Sequence, residues 1–242
     1  MGRVVLITGA AGGIGSATAR GFAQSGATLI LLDRVPADLQ GAAGMALAVD
    51  LADPGAVAAA FATIADRFDH LDTLVNIAGL NHKSTLAAMQ MADWTRMMDV
   101  NVGHMFLTAK HGLPLLERGT DPAIVNMSSV SAHVASVDYP AYVTTKAAVE
   151  SFTVALAGEV AERGIRVNAV APGWVDAGFT HAALADLADP TVLTGAAKAA
   201  HLLGRMAHPG EIATAIRWLA SPAASFVTGQ VLFVDGGLMR VH

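Results

Sequence analysis

The 242-residue sequence predicts one α/β domain, a doubly wound, seven-stranded parallel sheet with helices on both faces. Three observations predict it. Short apolar, β-branched runs alternate with helix-period segments along the whole chain. The strand runs are continuously apolar, as strands covered on both faces are. A glycine-rich turn joins the first strand run to the first helical segment.

The elements follow in order. Residues 4–8 read as a strand and 14–24 as a helix, closed by Gly26. Residues 28–32 and 45–49 are the next strands. A helix runs from Pro54 to about residue 68, with proline at its first position and Asp53 as N-cap. Residues 71–75 form the fourth strand, followed by helices over 91–101 and 103–117. The fifth strand is 123–127, and a long helix covers 142–163. Residues 165–170 and 231–234 are the last strands, with a helix over 211–219 between them. The stretch 178–204 lacks a strand and is rich in Ala, His and Asp. It reads as a helical substrate-loop insertion where a lid would sit. No composition break or repeat divides the chain, so residues 1–242 are expected to form a single domain.

Composition narrows the function classes. Hydrophobic residues make up 53% and charged residues 14%. That is ample apolar surface to offset ordering entropy. The net charge of −5 lacks the basic footprint of a nucleic-acid binder. Mean hydropathy is +0.49, yet no uninterrupted run of about 18 apolar residues suggests a membrane span. There are no cysteines, which excludes disulfides, thiol nucleophiles and cysteine-based metal sites. The start, Met1 to Leu6, meets Thr8-Gly9 too early for a signal peptide, so a cytoplasmic location is expected.

Two constellations carry chemistry. The first is Thr8-Gly9-Ala10-Ala11-Gly12-Gly13-Ile14-Gly15, between a strand and a helix. Its glycines allow a tight turn and close backbone approach to a diphosphate at the helix N-terminus. No Lys-Ser or Lys-Thr follows, so it is not a Walker A loop. Asp33 ends the second strand, where a carboxylate can accept hydrogen bonds from both adenosine ribose hydroxyls. It would repel a 2′-phosphate and so favours NAD over NADP. Arg34 beside it could hold that phosphate, but Asp33 is the residue aimed at the ribose. The second constellation is Tyr142-Val143-Thr144-Thr145-Lys146. Residues i and i+4 share a helix face, so an ammonium lies next to a phenol. That charge, joined by an oxidised nicotinamide, favours phenolate and makes tyrosine a usable acid/base.

Taken together, Thr8-x-x-x-Gly12-Gly13-x-Gly15, Asn76-Ile77-Ala78-Gly79, Asn101, Ser129, Tyr142-x-x-x-Lys146 and Pro172-Gly173 stand in one order. The chain closely resembles the classical short-chain dehydrogenase/reductase family over nearly its whole length. The resemblance implies a Rossmann-like fold and a role for each matching residue. Tyr142 would be the general acid/base, and Ser129 would hold the substrate oxygen. Lys146 would bind the nicotinamide ribose and lower the Tyr142 pKa. Asn101 would keep a water on a proton relay. Gly9, Gly13, Ile14 and Gly15 match the diphosphate loop, and Asp50 and Leu51 the adenine-side turn. Asn76, Ala78 and Gly79 match a turn beside the cofactor, and Pro172 and Val175 the nicotinamide shelf. Ala177 departs from the pattern where threonine is common, with Thr180 a substitute, and Ile77 stands where a second asparagine is common.

The segments that rim the substrate pocket in this family hold Asn81, Ser131, His133, Tyr139 and Trp174 here. With His82 and Lys83 they suggest a polar pocket carrying one or two positive charges. The expected substrate is a small hydroxy acid, sugar acid or polyol, as a secondary alcohol interconverted with its ketone. NAD is the expected cofactor, and no metal is expected. His104 and His111 lack the His-Glu-x-x-His spacing of a zinc site. Met89, Met91, Trp94, Met97 and Met98 read as core or subunit contact. The resemblance also implies a homotetramer. An NADPH-dependent carbonyl or 3-oxoacyl thioester reductase is the alternative within enzymes. A non-catalytic nucleotide sensor is the alternative outside them.

Overall fold

The computed structural model describes residues 2–178, 180–181 and 190–240. Seven parallel strands form one sheet in the order β3-β2-β1-β4-β5-β6-β7. They are β1 (Val4–Thr8), β2 (Thr28–Asp33), β3 (Gly44–Ala48), β4 (Thr73–Asn76), β5 (Ala123–Met127), β6 (Arg166–Pro172) and β7 (Val231–Val234). The helices are α1 (Gly13–Ala23), α2 (Pro54–Ala65), α3 (Met91–Met98), α4 (His104–Leu116), α5 (Pro140–Val160), α6 (Pro190–Ala199) and α7 (Pro209–Leu219). This is the doubly wound, Rossmann-like single domain that the sequence predicts.

Alternation within each strand splits the core in two, because successive side chains leave opposite faces of a strand. Leu6, Ile30, Leu74, Ile124 and Val167 pack with Val57, Phe61 and Ile64 of α2, Leu115 and Leu116 of α4, and Leu156 and Val160 of α5. Val5, Ile7, Leu29, Leu31, Val75 and Val125 pack with Ala19 and Phe22 of α1 and Ile212, Ile216 and Leu219 of α7. Strand order reverses between β1 and β4, the switch point where open α/β sheets bind ligands beyond the carboxyl ends of strands.

Several boundaries differ from expectation. Helix α5 starts at Pro140, two residues early, because proline is pre-organised for the first helical turn. The expected helices over 91–101 and 103–117 run together through a π-helical turn, Asp99–Gly103. Strand β4 starts at Thr73, since Leu71 and Asp72 approach the sheet before its register begins. Asp53 does cap α2, accepting from the amides of Gly55 at 2.8 Å and Ala56 at 3.2 Å. Within the stretch expected as an insertion, α6 is helical, while residues 179 and 182–189 lie outside the described residues. Met97 is core, whereas Met91 is exposed, because it faces outward from the first turn of the amphipathic α3.

Candidate active site

The glycine-rich turn leaves β1 beside β4. Gly9 has φ +67°, and a Cβ there would lie 2.7 Å from the amide nitrogen of Ala78. A Cβ on Gly15 would lie 2.0 Å from the carbonyl oxygen of Gly9. Only glycine fits either place. Gly13, the first residue of α1, lies against Ala177: a Cβ there would stand 2.7 Å from the Ala177 methyl. Ile14 follows Gly13 in the first turn of α1, and its carbonyl accepts from the Thr18 hydroxyl at 2.8 Å.

Thr8 ties the two strand ends together. Its Oγ1 accepts from the amides of Ile77 at 3.1 Å and Ala78 at 3.2 Å. Behind it sits His104, fully buried, with Nε2 3.4 Å from Thr8 Oγ1. His104 Nδ1 lies 2.5 Å from the Val100 carbonyl oxygen and must carry the proton to donate there. Burial pushes its pKa down to about 4, so the ring is neutral. Its place behind Thr8, which holds the Ile77 and Ala78 amides, is a tertiary fact.

A groove opens along this edge, lined by Gly9, Asp33, Asp50, Leu51, Ala78 and Gly79, and also by Arg34 and Arg96. Asp33 Oδ2 accepts from the Ala11 amide at 3.0 Å, which docks the carboxylate on the glycine-rich turn. Asp50 closes a local turn by accepting from the Ala52 amide at 3.0 Å, and Leu51 is buried beneath it.

Asn76 ends β4, and its side chain is fully buried in the sheet. Its Nδ2 donates to Asn126 Oδ1 at 2.9 Å and its Oδ1 accepts from Thr108 at 2.8 Å. A buried amide must be satisfied, and here the interior satisfies it. Asn76 therefore supports the turn from below.

Tyr142, Lys146 and Ser129 come together at the ends of β5 and α5. Lys146 is 2% exposed, and its Nζ donates to the Met127 carbonyl at 2.8 Å. Nζ lies 5.5 Å from the centre of the Tyr142 ring. Burial lowers the Lys146 pKa to about 8. Burial pushes the Tyr142 phenol up to about 12, opposed by its hydrogen bond with Ser129. Asn101 sits in the π-helical turn and clamps Leu80. Its Oδ1 accepts from the Leu80 amide at 2.8 Å, and its Nδ2 donates to the Leu80 carbonyl at 2.9 Å and to Thr145 at 3.0 Å. That clamp holds Gly79 over the lysine: a Cβ on Gly79 would be 3.8 Å from Lys146 Nζ.

Pro172 ends β6, and Val175 bridges to Ala207. Thr180 is buried, with its amide on the Ala177 carbonyl at 2.9 Å. Of the rim residues, Asn81 is exposed, while Ser131, Tyr139 and Trp174 are half-buried. Each basic group of the rim faces a carboxylate. His133 Nε2 is 2.7 Å from Glu150, His82 is 3.7 Å from Asp93, and Lys83 is 4.0 Å from Asp138. Glu150 also accepts from Ser128 at 2.7 Å, and the His133 ring meets Phe233 edge-on at 5.1 Å. His133 is thus drawn toward Glu150 and β7. Sequence reading missed Glu150, although its spacing of four from Lys146 places it on the same helix face.

Comparison with known proteins shows the family and the fold. Residues 9–239 match the family model described as enoyl-(acyl carrier protein) reductase. The cis-4-hydroxycyclohexanecarboxylate dehydrogenase of Sinomonas cyclohexanicum is 40% identical, over 99% of this chain and 97% of its own. The 3-oxoacyl-(acyl-carrier-protein) reductase of Thermotoga maritima is 36% identical, over 98% of each. The ligand-free aldohexose dehydrogenase of Thermoplasma acidophilum superposes with a TM-score of 0.92 at 34% identity, over 99% of this chain and 95% of that one. The chain belongs to the short-chain dehydrogenase/reductase family of oxidoreductases, which act on alcohols and ketones with a nicotinamide cofactor.

Proposed function

We propose that the protein is an NAD-dependent dehydrogenase that interconverts a secondary alcohol and its ketone. The observation that carries this reading is Tyr142, hydrogen-bonded to Ser129 and flanked by the buried ammonium of Lys146. The chain fits a dinucleotide. Gly9 and Gly15 clear the turn beside α1, and Asp33, Asp50 and Leu51 line the groove toward its adenosine end. Gly9, Gly13, Ile14 and Gly15 would hold the diphosphate, Ala78 and Gly79 the middle of the molecule, and Pro172 and Val175 the nicotinamide. When bound, that group supplies the hydride acceptor and, if oxidised, a positive charge.

The protein's own residues move the proton. Ser129 and Tyr142 hold the substrate oxygen between two hydroxyls. In alcohol oxidation Tyr142 accepts the hydroxyl proton, and in ketone reduction it donates one. Lys146 stabilises the phenolate that oxidation requires. Asn101 holds the Leu80 turn that positions Gly79 over Lys146.

The polar rim of Asn81, Ser131, Tyr139 and Trp174, with its paired charges, supports a small hydroxylated substrate: a hydroxy acid, sugar acid or polyol. The activities named for the Sinomonas and Thermoplasma proteins point the same way. Arg34 and Arg96 line the groove with Asp33 and favour a second reading, NADPH-dependent reduction of a 3-oxoacyl thioester. Exposed Phe106 on α4 and Val154 on α5 support a subunit contact, in keeping with a homotetramer, which native mass tests. Among the described residues no helix is long and apolar enough to cross a membrane.

The test is a panel of hydroxy acids, sugar acids, polyols and 3-hydroxyacyl thioesters, read by reduced-nicotinamide absorbance with NAD and NADP in parallel. Turnover of a hydroxylated substrate with NAD is expected. Turnover of the thioester alone, with NADP, would favour the second reading. Tight dinucleotide binding without turnover would favour a nucleotide sensor.

A further inference from the structure

His201 follows α6, in the stretch that reads as a substrate-loop insertion, and is 5% exposed. Its Nδ1 lies 2.6 Å from the carbonyl oxygen of Ala197, so Nδ1 carries the proton and donates. Nε2 is then an acceptor, and the Trp174 amide donates to it at 3.1 Å. Two glycines make the space for the ring. A Cβ on Gly173 would stand 2.6 Å from Nε2, and one on Gly236 would stand 3.3 Å from Cδ2. The joint continues on either side of the imidazole. The Leu203 amide donates to the Gly236 carbonyl at 3.2 Å. The Ala207 amide donates to the Trp174 carbonyl at 2.9 Å, and the Asp176 amide to the Ala207 carbonyl at 2.9 Å. The 201–207 segment thus holds both backbone polar groups of Trp174.

We infer that His201 is a positioning residue that docks α6 onto the Gly173–Trp174 backbone and so sets the place of the 172–175 turn against the nicotinamide half of the cofactor. This rests on the proposed function, in which that turn faces the nicotinamide. The chemistry of the joint is specific. A neutral imidazole presents a donor at one ring position and an acceptor at another, and both are used here. An apolar residue of similar size would leave the Trp174 amide and the Ala197 carbonyl without these partners. The ring also links three parts of the chain: the end of α6, the turn after β6 and the Gly236 turn after β7. A shift of α6 therefore reaches the 172–175 turn through one side chain.

The two bonds can be separated by substitution. Glutamine places an amide oxygen near the Nε2 position and can still accept from Trp174. Asparagine places its amide near the Nδ1 position, keeps the bond to Ala197 and falls short of Trp174. The experiment measures dissociation constants of NADH, by nicotinamide fluorescence, and of ADP-ribose, by competition, on wild type, His201→Asn and His201→Gln. ADP-ribose lacks only the nicotinamide, so it reports an intact adenosine, diphosphate and ribose site in each variant. His201→Asn should weaken NADH binding about tenfold while holding ADP-ribose within about twofold, with His201→Gln near wild type for both. Equal weakening of both ligands in His201→Asn would mean a general structural role and overturn the inference. So would unchanged NADH binding in His201→Asn, or a His201→Gln variant as weak as His201→Asn. Wild-type protein that binds neither ligand would overturn the proposed function itself, and this inference with it.

Discussion

The ammonium of Lys146 lies 5.5 Å from the centre of the Tyr142 ring and is fixed there by a 2.8 Å hydrogen bond to the Met127 carbonyl. The arrangement buries a charge. Folding lowers the Lys146 pKa from 10.5 to about 8, chiefly by desolvation. Between those values the unfolded chain binds more protons than the folded one, so stability rises with pH across that window. Below about 8 the cost of the buried charge is present in full. Lys146→Met removes this dependence. Denaturation of both proteins at pH 7 and pH 10 should show wild type gaining on the variant at the higher pH. A constant difference would contradict the burial of a charged lysine.

Tyr142 is held as a neutral phenol in the ligand-free protein, because burial pushes its pKa up to about 12 against the opposing Ser129 hydrogen bond. The chain has only two tyrosines, so subtracting the ultraviolet titration of Tyr142→Phe from that of wild type isolates this one. Its ionisation should appear near pH 12 without ligand and move down when oxidised cofactor binds. A ligand-free midpoint below that of free tyrosine, about 10, would contradict this.

Asp33 is anchored on the Ala11 amide at the mouth of the groove, where its charge would oppose a ribose 2′-phosphate. Asp33→Ser should lower the ratio of kcat/KM for NAD over NADP by about tenfold or more, since hydrogen bonds to an ionised acceptor are the strong ones. An unchanged ratio would remove Asp33 from cofactor choice.

Thr8 is the acceptor for two backbone amides of the turn after β4. Thr8→Val keeps the shape and strands both donors. Urea denaturation should show a loss of about 2 kcal/mol, in the range expected for buried groups left unpaired. A loss well under 1 kcal/mol would mean that other partners take up these amides.

Strand positions were legible because each is a short apolar run bounded by turn residues, and the Asp53–Pro54 start of α2 because capping is local. The Tyr142–Lys146 pair was legible because four-residue spacing on a helix is a geometric statement. What escaped the sequence depends on partners far along the chain. The partners that satisfy the Asn76 amide, Asn126 and Thr108, stand 50 and 32 residues away. The carboxylates that face His82, Lys83 and His133, namely Asp93, Asp138 and Glu150, stand 11, 55 and 17 residues further along. His201 gives no local signal, since its partner Trp174 stands 27 residues earlier.

The most direct test of Tyr142 as the acid/base is a comparison of wild type with Tyr142→Phe, measuring NADH binding and alcohol turnover on the same preparations. The phenyl ring keeps the packing and loses only the hydroxyl that exchanges the proton. Turnover should fall by about a hundredfold to ten-thousandfold, the usual contribution of a positioned acid/base, while the NADH dissociation constant stays within about twofold. A variant that retains more than about a tenth of wild-type turnover would contradict the assignment and move the proton transfer to another group.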